Sequence, residues 1–277
     1  MHRFRRLFGQ LGFFLVTAVL ALAVDLKVAT LNCYLLFDPA IDHAGKVDDE
    51  NRLQPAEYQT KLSNLSTLMM GYEVVALQET GGRAEITALA AKAKLDWLWT
   101  KGKDTATGEE VGLLYRLPGW TVTSHGRVAD LDKAVSKHLL VSAKKADAKV
   151  YFLVVHLLRP IGAQAEKHQR QLTAIGAWMR GITALEPKAT VVVLGDTNNS
   201  DVRASAPLYG LGMEAGALNQ FAATHLSNKC FDRLVAVGPG RWTAIDLRRP
   251  PYPAKPNNSL KRVWTDHYFV GATLSVP

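Results

Sequence analysis

Cysteine is scarce in this chain of 277 residues, which contains only Cys33 and Cys230. Two cysteines are too few for a disulfide framework, although they leave one bridge open in an oxidising compartment. Neither has a spacing typical of structural zinc, and there is no His-Glu-x-x-His motif. These absences disfavour a disulfide-stapled scaffold, a zinc-stabilised domain and a zinc hydrolase of that type.

Internal linkers, repeats and low-complexity tracts are also absent. No stretch rich in Pro, Gly or Ser and no block of like charge divides the chain. Hydrophobic residues make up 48% of the sequence and charged residues 21%, which is ordinary for a globular protein with a sizeable core. We therefore predict one domain, over residues 24–277.

The first residues have the pattern of a secretory signal peptide. Three arginines within the first six residues precede an apolar run from Leu11 to Val24, in which Thr17 is the polar exception. The run ends in small residues and is shorter than the roughly 20 residues needed to cross a bilayer. We predict that residues 1–23 are a signal peptide and that the protein is exported, to the periplasm or the exterior. An uncleaved membrane anchor is the alternative.

The formal net charge is positive with or without that segment. It is +8 at pH 7 for the whole sequence, and removing three arginines and no acid leaves +5. This balance favours phosphate-bearing or polyanionic partners through general electrostatic attraction.

Short apolar runs alternate with two amphipathic patterns. Apolar residues at helical spacing predict helices at Glu57–Met70 and Ala163–Arg180. The apolar runs predict strands at Leu26–Asn32, Val74–Leu77, Val111–Tyr115, Val150–Val155, Thr190–Leu194, Leu234–Val237 and Tyr268–Val270. Because strands outnumber helices, we predict an α/β fold with two sheets packed face to face and helices outside.

Polar residues that bind hard cations or move protons lie next to six of these runs. One such residue is more often part of a turn than of a site. Six positions in one domain instead indicate a site built from strand ends. The residues are Asn32, Glu79, His156, Asp196, Asn198, Asp232, Asp266 and His267.

The motifs around these residues resemble those of the endonuclease/exonuclease/phosphatase superfamily. That superfamily includes pancreatic-type deoxyribonucleases, abasic-site endonucleases, neutral sphingomyelinases and inositol polyphosphate phosphatases. The stretches that resemble its signatures, in the expected order, are Gln78-Glu79, His156-Leu157, Gly195-Asp196-Thr197-Asn198 and Thr265-Asp266-His267. The resemblance covers essentially the whole predicted domain. It implies a two-sheet β-sandwich flanked by helices, in four α/β/β/α layers.

The resemblance also implies a metal cofactor for phosphoester hydrolysis. Glu79 is expected to bind Mg²⁺, with Mn²⁺ or Ca²⁺ as alternatives, because these hard cations prefer oxygen ligands. Asn32 and Asp266 are expected to complete the inner or outer coordination shell.

Five catalytic residues follow from the same resemblance. Asp196 and His267 are expected to orient and deprotonate the attacking water, and Asn198 to hold a phosphoryl oxygen. Asp232 is expected to bond to His267, fix its tautomer and raise its pKa. His156 is expected to stabilise the pentavalent state or to protonate the leaving oxygen.

Other candidates carry less specific patterns. Glu109 or Glu110 is a candidate acid to support His156, with a solvated loop as the alternative. The remaining histidines outside the export segment have no motif and are interpreted as surface or core residues; they are His43, His125, His138, His168 and His225.

A basic stretch joins two of the site motifs. Residues 241–262 contain six basic residues and the single acid Asp246. We predict a loop near the site that binds a nucleic-acid backbone, with Arg248 and Arg249 as substrate-binding candidates. A third candidate, Arg159, lies outside this loop, three residues after His156. A solvated Pro-rich loop is the alternative. No base-reading motif is present, so we expect little sequence specificity.

Three functions remain open at this point. The first is a nuclease that acts on DNA or RNA, as a monomer without an obligate protein partner. The second is a phosphatase or sphingomyelinase-like enzyme on small or lipid phosphoesters. Leu35 weakens the resemblance to bacterial exported nuclease-like members of the superfamily, because those proteins carry a second Asn at this position. The third, a silent binding module, is disfavoured because every expected site position carries a competent residue.

Overall fold

The computed structural model describes residues 23–41, 43, 52–102, 108–199, 223–251 and 258–277. The predicted signal peptide lies almost wholly outside these residues, so it stays a prediction. Within the described ranges, no helix combines the length and apolar character that crossing a membrane requires. Cys33 and Cys230 are both buried and free, so the bridge left open by the sequence is not formed.

Eleven strands are found in the described part of the chain. They are β1 (Val24–Leu36), β2 (Val74–Thr80), β3 (Asp96–Thr100), β4 (Glu110–Tyr115), β5 (Thr121–Gly126), β6 (His138–Lys145), β7 (Ala148–His156), β8 (Thr190–Asp196), β9 (Asp232–Val237), β10 (Arg241–Arg248) and β11 (Phe269–Val276). One sheet has the order β10-β11-β1-β2-β4-β3, and the other has the order β5-β6-β7-β8-β9.

Four helices are found in the same ranges. They are α1 (Pro55–Leu68), α2 (Arg83–Ala93), α3 (Gln164–Leu185) and α4 (Asn258–Val263). At the start of α1, the side chains of Gln54 and Glu57 form a reciprocal capping box, and a proline occupies the first turn. The two predicted helices are confirmed with shifted ends, whereas α2, α4 and strands β3, β5, β6 and β10 were not predicted.

The layers follow from the alternation of side chains along each strand. On β7, Phe152 and Val154 pack between the two sheets, whereas Leu153 and Val155 pack against α3. A third apolar cluster joins the outer face of the six-stranded sheet to α1 and α2. The predicted four-layer α/β/β/α sandwich is therefore confirmed.

Strand direction brings the site motifs to one edge of the sandwich. The parallel pairs β1–β2 and β7–β8 end at this edge. The antiparallel strands β9 and β11 begin there. In register, His156 lies opposite Asp196, and Asp196 lies opposite Asp232. Residues far apart in the sequence thus become neighbours.

The basic stretch is not a loop over residues 241–248, so that prediction was wrong for this part. These residues form the edge strand β10, because β11 offers a free backbone edge and pairs with it along its length. Arg241 pairs with Ser275, at the end of β11 remote from the site, whereas Arg248 pairs with Phe269. In the same stretch, residues 258–262 lie in α4 and are not a loop either, and residues 252–257 lie outside the described ranges.

Candidate active site

The Asn32 side chain joins the two sheets at the site edge. Its Nδ2 donates to Glu79 Oε1 at 2.8 Å and to Asp196 Oδ2 at 2.9 Å. Its Oδ1 accepts the backbone N–H of Tyr34 at 2.9 Å. Asn32 therefore presents N–H groups to the carboxylates. Asn32 was expected in either the inner or the outer coordination shell of a cation, and this geometry favours the outer shell.

Glu79 is held by the turn that ends β1. Tyr34 and Leu35 have left-handed backbones, with φ of 49° and 55°. The Leu35 N–H points at Glu79 Oε2, 3.3 Å away. Lys61, only 1% exposed, donates to the Tyr34 carbonyl at 2.5 Å and so braces the turn. Leu35 thus contributes to the site through its backbone N–H.

Gly195 sets the position of Asp196. Its φ is +146°, and a Cβ atom there would collide with the carbonyl oxygen of Val155. Only glycine lets β8 approach β7 this closely. Asn198 follows in a left-handed conformation, with φ of 52°. Its backbone N–H donates to Asp196 Oδ1 at 2.7 Å. Its side-chain amide donates to the Leu157 carbonyl at 2.9 Å.

His267 is anchored by Asp232, as predicted. Its Nδ1 lies 2.8 Å from Asp232 Oδ2. Its Nε2 lies 3.8 Å from both Asp196 Oδ2 and Asp266 Oδ1. Burial disfavours the charged ring, but the negative charges of Asp232, Asp196 and Asp266 outweigh burial and raise the pKa of His267 to about 10. The ring is therefore a cation among three carboxylates.

His156 has the opposite electrostatic state. Burial, followed by the positive charges of Lys137, His267 and Arg159, holds its pKa well below the ordinary value. The ring is therefore neutral near pH 7. Its Nε2 lies 3.8 Å from Glu79 Oε1 and 3.9 Å from Asp196 Oδ2. Two histidines in one cluster thus differ in charge because their neighbours differ.

Of the two candidate acids near His156, the structure selects Glu109. Glu109 Oε2 lies 3.8 Å from His156 Nδ1 and 2.7 Å from the ammonium of Lys137. The Glu110 carboxylate instead accepts the backbone N–H of Gly102. Glu109 therefore stands beside the imidazole, as a supporting acid would.

His225 lies at the site, so its interpretation as a surface or core residue was wrong. The backbone N–H of Ser227 donates to His225 Nδ1 at 2.9 Å. The proton of a neutral ring is therefore on Nε2, which lies 3.1 Å from Asp266 Oδ2 and donates to it. The other oxygen, Asp266 Oδ1, is buried and has no hydrogen-bond partner within the described ranges. His225 thus fixes one oxygen of Asp266 and leaves the other facing the cluster.

The other motif-free histidines make contacts elsewhere, as expected for surface or core residues. The pairs are His43 with Glu85, His125 with Ser142, His138 with Val135 and His168 with Thr197.

Two of the three candidate substrate-binding arginines lie at or near the site. Arg159 is exposed in the connection after β7 and lines a cavity of about 470 Å³ together with Asn198 and Asp266. Arg249 is exposed, and its guanidinium lies 5.1 Å from the ring centre of Tyr268. Tyr268 directly follows His267 in the sequence, which places Arg249 near the site edge.

Arg248 is not brought into the cluster. Its Nη1 donates to the carbonyls of Leu68 and Met70, at 2.8 and 2.7 Å, at the end of α1. Its Nε pairs with Asp246 at 2.8 Å. These contacts satisfy the guanidinium on the helix side of the sheet, where it caps α1.

The acidic residues of the site suit a hard divalent cation. Glu79 and Asp196 are buried, and burial raises the pKa of both carboxyls. Buried like charges are costly unless a cation offsets them. Asp266 Oδ1 is a buried oxygen without a hydrogen-bond partner in the described ranges. Ligand atoms within 4.8 Å of one another occur in the groups Glu79/His156/Asp196, Asp196/Asp232/His267 and His225/Asp266/His267.

Comparisons with known proteins identify the fold. No protein-family model matches the chain, and no curated protein matches it in sequence. Truncated TDP2 from Caenorhabditis elegans superposes with a TM-score of 0.62 at 16% identity, over 91% of this chain and 98% of that chain. An endonuclease/exonuclease/phosphatase from Bacteroides vulgatus gives 0.62 at 17%, over 92% and 100%. TDP2 from D. rerio, complexed with single strand DNA product, gives 0.59 at 17%, over 90% and 98%. The chain therefore has the endonuclease/exonuclease/phosphatase fold that its motifs implied.

Proposed function

We propose that this protein is an exported, divalent-metal-dependent phosphodiesterase that hydrolyses DNA or RNA with little sequence specificity. The observation that carries the proposal is the single cluster in which Asn32 joins Glu79 to Asp196 while Asp232 anchors His267 at 2.8 Å. Export rests on the N-terminal pattern alone. Mass spectrometry of the mature protein should show the loss of residues 1–23, and an intact N-terminus would remove this part of the proposal.

Glu79 and Asp266 would hold the cation, and Asp196, which shares the Asn32 amide with Glu79, would lie beside it. Asn32 and His225 would orient these carboxylates, since each donates a hydrogen bond to at least one of them. When bound, Mg²⁺ or Mn²⁺ neutralises charge on the phosphoryl oxygens and lowers the pKa of water. The side chains of this protein would carry out the proton transfers and position the substrate.

His267 would take the proton from the attacking water. In the metal-free protein, three carboxylates keep His267 protonated. Neutralising Asp196 and Asp266 removes much of the charge that holds this proton, so that Nε2 becomes able to accept one. The bond from Nδ1 to Asp232 keeps Nε2 directed at Asp196 and Asp266. Asp196 and His267 would therefore orient the attacking water as well as deprotonate it.

His156 and Asn198 would act on the phosphoester itself. Asn198 stands beside Asp196 and lines the cavity at the site, where its side chain would hold a phosphoryl oxygen. His156 lies beside Glu79 and Asp196 and would stabilise or protonate the leaving oxygen, with Glu109 on its Nδ1 side.

Nucleic acid is the substrate class that the surface around the cluster supports. Without residues 1–23 the chain carries a net charge of +8 − 3 = +5, and Arg159 and Arg249 are exposed at or near the site. The D. rerio protein of the same fold is complexed with single strand DNA product. A second candidate substrate, a small phosphoester, is favoured by the cavity of about 470 Å³, which is in the range of small-ligand sites.

The proposal is tested by assaying the chain from Val24 onward on four substrates. These are plasmid DNA, RNA, bis-p-nitrophenyl phosphate and sphingomyelin, each with Mg²⁺, Mn²⁺, Ca²⁺ or EDTA. We expect hydrolysis of a nucleic acid and of the nitrophenyl diester with Mg²⁺ or Mn²⁺, and none in EDTA. Turnover in EDTA would contradict metal dependence, and no turnover with any metal would contradict the enzyme. Hydrolysis of sphingomyelin in preference to nucleic acid would favour the lipid alternative.

Replacing His225 by alanine should raise the Mg²⁺ concentration needed for half-maximal activity by about 10- to 100-fold, the usual cost of losing an outer-shell partner. His225→Gln retains an N–H donor near Nε2 and should recover much of the loss. His125→Ala is the matched control, because His125 is exposed on β5 and bonds to Ser142. If alanine and glutamine at position 225 behave alike, the hydrogen bond to Asp266 is not the cause.

A further inference from the structure

A cavity beside the proposed catalytic cluster has walls that the hydrolytic mechanism does not use. Its volume is about 470 Å³, and Asn198 and Asp266 form the side that faces the cluster. Asn199 also lines the cavity, next to Asn198. The remaining walls come from two connections, residues 159–161 after β7 and four residues before β9, which are His225, Ser227, Lys229 and Phe231. The cavity is therefore continuous with the place where the scissile phosphate would lie.

Two cations stand at this cavity, one on each connection. Arg159 and Lys229 line the cavity, and both are exposed. Neither forms an ion pair with a residue in the described ranges. The charge of Arg159 also reaches the cluster, since it is among the charges that lower the pKa of His156. Two exposed cations that face one cavity and form no ion pair with the described residues suit an anion such as a phosphate.

The same cavity has an apolar part. Pro160, Ile161 and Phe231 line it, and Ile161 is 69% exposed although it is a large aliphatic residue. A side chain this exposed does not contribute to the core. A nucleotide combines the complementary features, an anionic phosphate and a flat base whose faces are apolar.

We propose that this cavity is a subsite for one unpaired nucleotide next to the scissile phosphate, so that the substrate is single-stranded nucleic acid. Arg159 and Lys229 bind the phosphate of that nucleotide, and Pro160, Ile161 and Phe231 contact its base. A base in a duplex is stacked on both faces and paired along its edge, so it enters such a cavity only after leaving the helix. The inference rests on the proposed nuclease function and narrows its substrate.

The test compares three substrates and four variants of the whole chain. The substrates are a single-stranded oligonucleotide, the same sequence in a duplex, and bis-p-nitrophenyl phosphate, which has no second phosphate. The variants are Arg159→Ala, Lys229→Ala, the double variant, and the control Lys188→Ala. Lys188 is exposed and lies just before the first residue of β8, whereas Asp196 is the last residue of that strand.

We expect the wild type to prefer the single strand. Each of the two single variants should lower kcat/KM on the oligonucleotide about tenfold, mainly through KM, and by a much larger factor than on the nitrophenyl diester. Each should also reduce the slope of log binding against log salt by about 1, the signature of one lost phosphate contact. Lys188→Ala should match the wild type in both measurements.

Three results would overturn the subsite. They are equal losses on the oligonucleotide and the diester, no loss on either, and equal hydrolysis of duplex and single strand. Fluorescence anisotropy with the labelled oligonucleotide in EDTA separates this inference from the proposed function. If oligonucleotide binding weakens in Arg159→Ala and in Lys229→Ala while no phosphoester is hydrolysed with any metal, the subsite is supported and the nuclease function is not. If binding is unchanged in both variants, the subsite is rejected whatever the rates are.

Discussion

Replacing His156 by alanine should lower kcat on a nucleic-acid substrate by about 10²- to 10⁴-fold, the usual contribution of a general acid or base. His156 is the neutral ring of the cluster, beside Glu79 and Asp196. Its Nδ1 is buried and has no hydrogen-bond partner in the described ranges. Removing the ring therefore breaks no strong hydrogen bond at that atom, and the loss should appear in rate more than in stability.

Steady-state kinetics and thermal unfolding of the same preparation check this expectation. His125→Ala on β5 serves as the control for removing a histidine, and it should keep the wild-type rate. A wild-type rate in His156→Ala would remove His156 from the mechanism. A large drop in unfolding temperature would instead show that the ring supports the fold, and the kinetic loss would then need the milder variant His156→Gln to be interpreted.

Replacing Glu79 by glutamine should lower kcat/KM by about 10²- to 10³-fold, because a metal ion supplies several kcal/mol of charge stabilisation that depends on its ligands. The amide keeps the size of the side chain and one oxygen. It loses the negative charge that a divalent cation requires. Raising the Mg²⁺ concentration should recover part of the activity, and isothermal titration should show weaker Mg²⁺ binding. Unchanged affinity in that titration would exclude Glu79 as a ligand.

The stability of the same variant in EDTA should depend less on pH than that of the wild type. Burial, with the nearby charge of Glu109, raises the pKa of Glu79 above its ordinary value of 4.5. A raised folded-state pKa means that the protonated form is the stabilising one, so stability is lost as pH rises from 4.5 through the raised value. Glutamine cannot ionise and avoids that loss. Unfolding temperatures of the two proteins in EDTA should therefore diverge as the pH rises, and parallel curves would contradict the assignment.

The central strands β2, β7 and β8 could be predicted from the sequence because their own side chains specify them. The central strand β6 was not predicted, although its first six residues are buried. β2, β7 and β8 are buried on both faces and appear as apolar runs that stop at a polar residue. The edge strands β5 and β10 are mostly exposed or half-buried, so their composition does not distinguish them from loops. Their strand character comes from pairing with β6 and β11, which no local pattern encodes.

Site residues, too, could be predicted where a local sequence pattern marks them, and not where only a distant partner does. Glu79, Asp196 and His267 were found because each lies in a motif next to a strand. His225 and Lys61 were not, because their partners are distant in sequence: His225 contacts Asp266, 41 residues away, and Lys61 contacts Tyr34, 27 residues away. One signal was available for Lys61. It stands four residues before Leu65 on α1, where a charged residue on the apolar face indicates a buried partner.

The Asn32 side chain that joins the two sheets has a consequence for refolding. Its bond to Asp196 connects residues 164 positions apart, and it cannot form until both sheets are built and docked. Contacts of such long range are completed late, because loop closure opposes them until neighbouring pairings reward it. Enzymatic activity should therefore return with the slowest phase of refolding, after secondary structure has recovered. Neither sheet alone, separated as a fragment, contains a complete catalytic cluster.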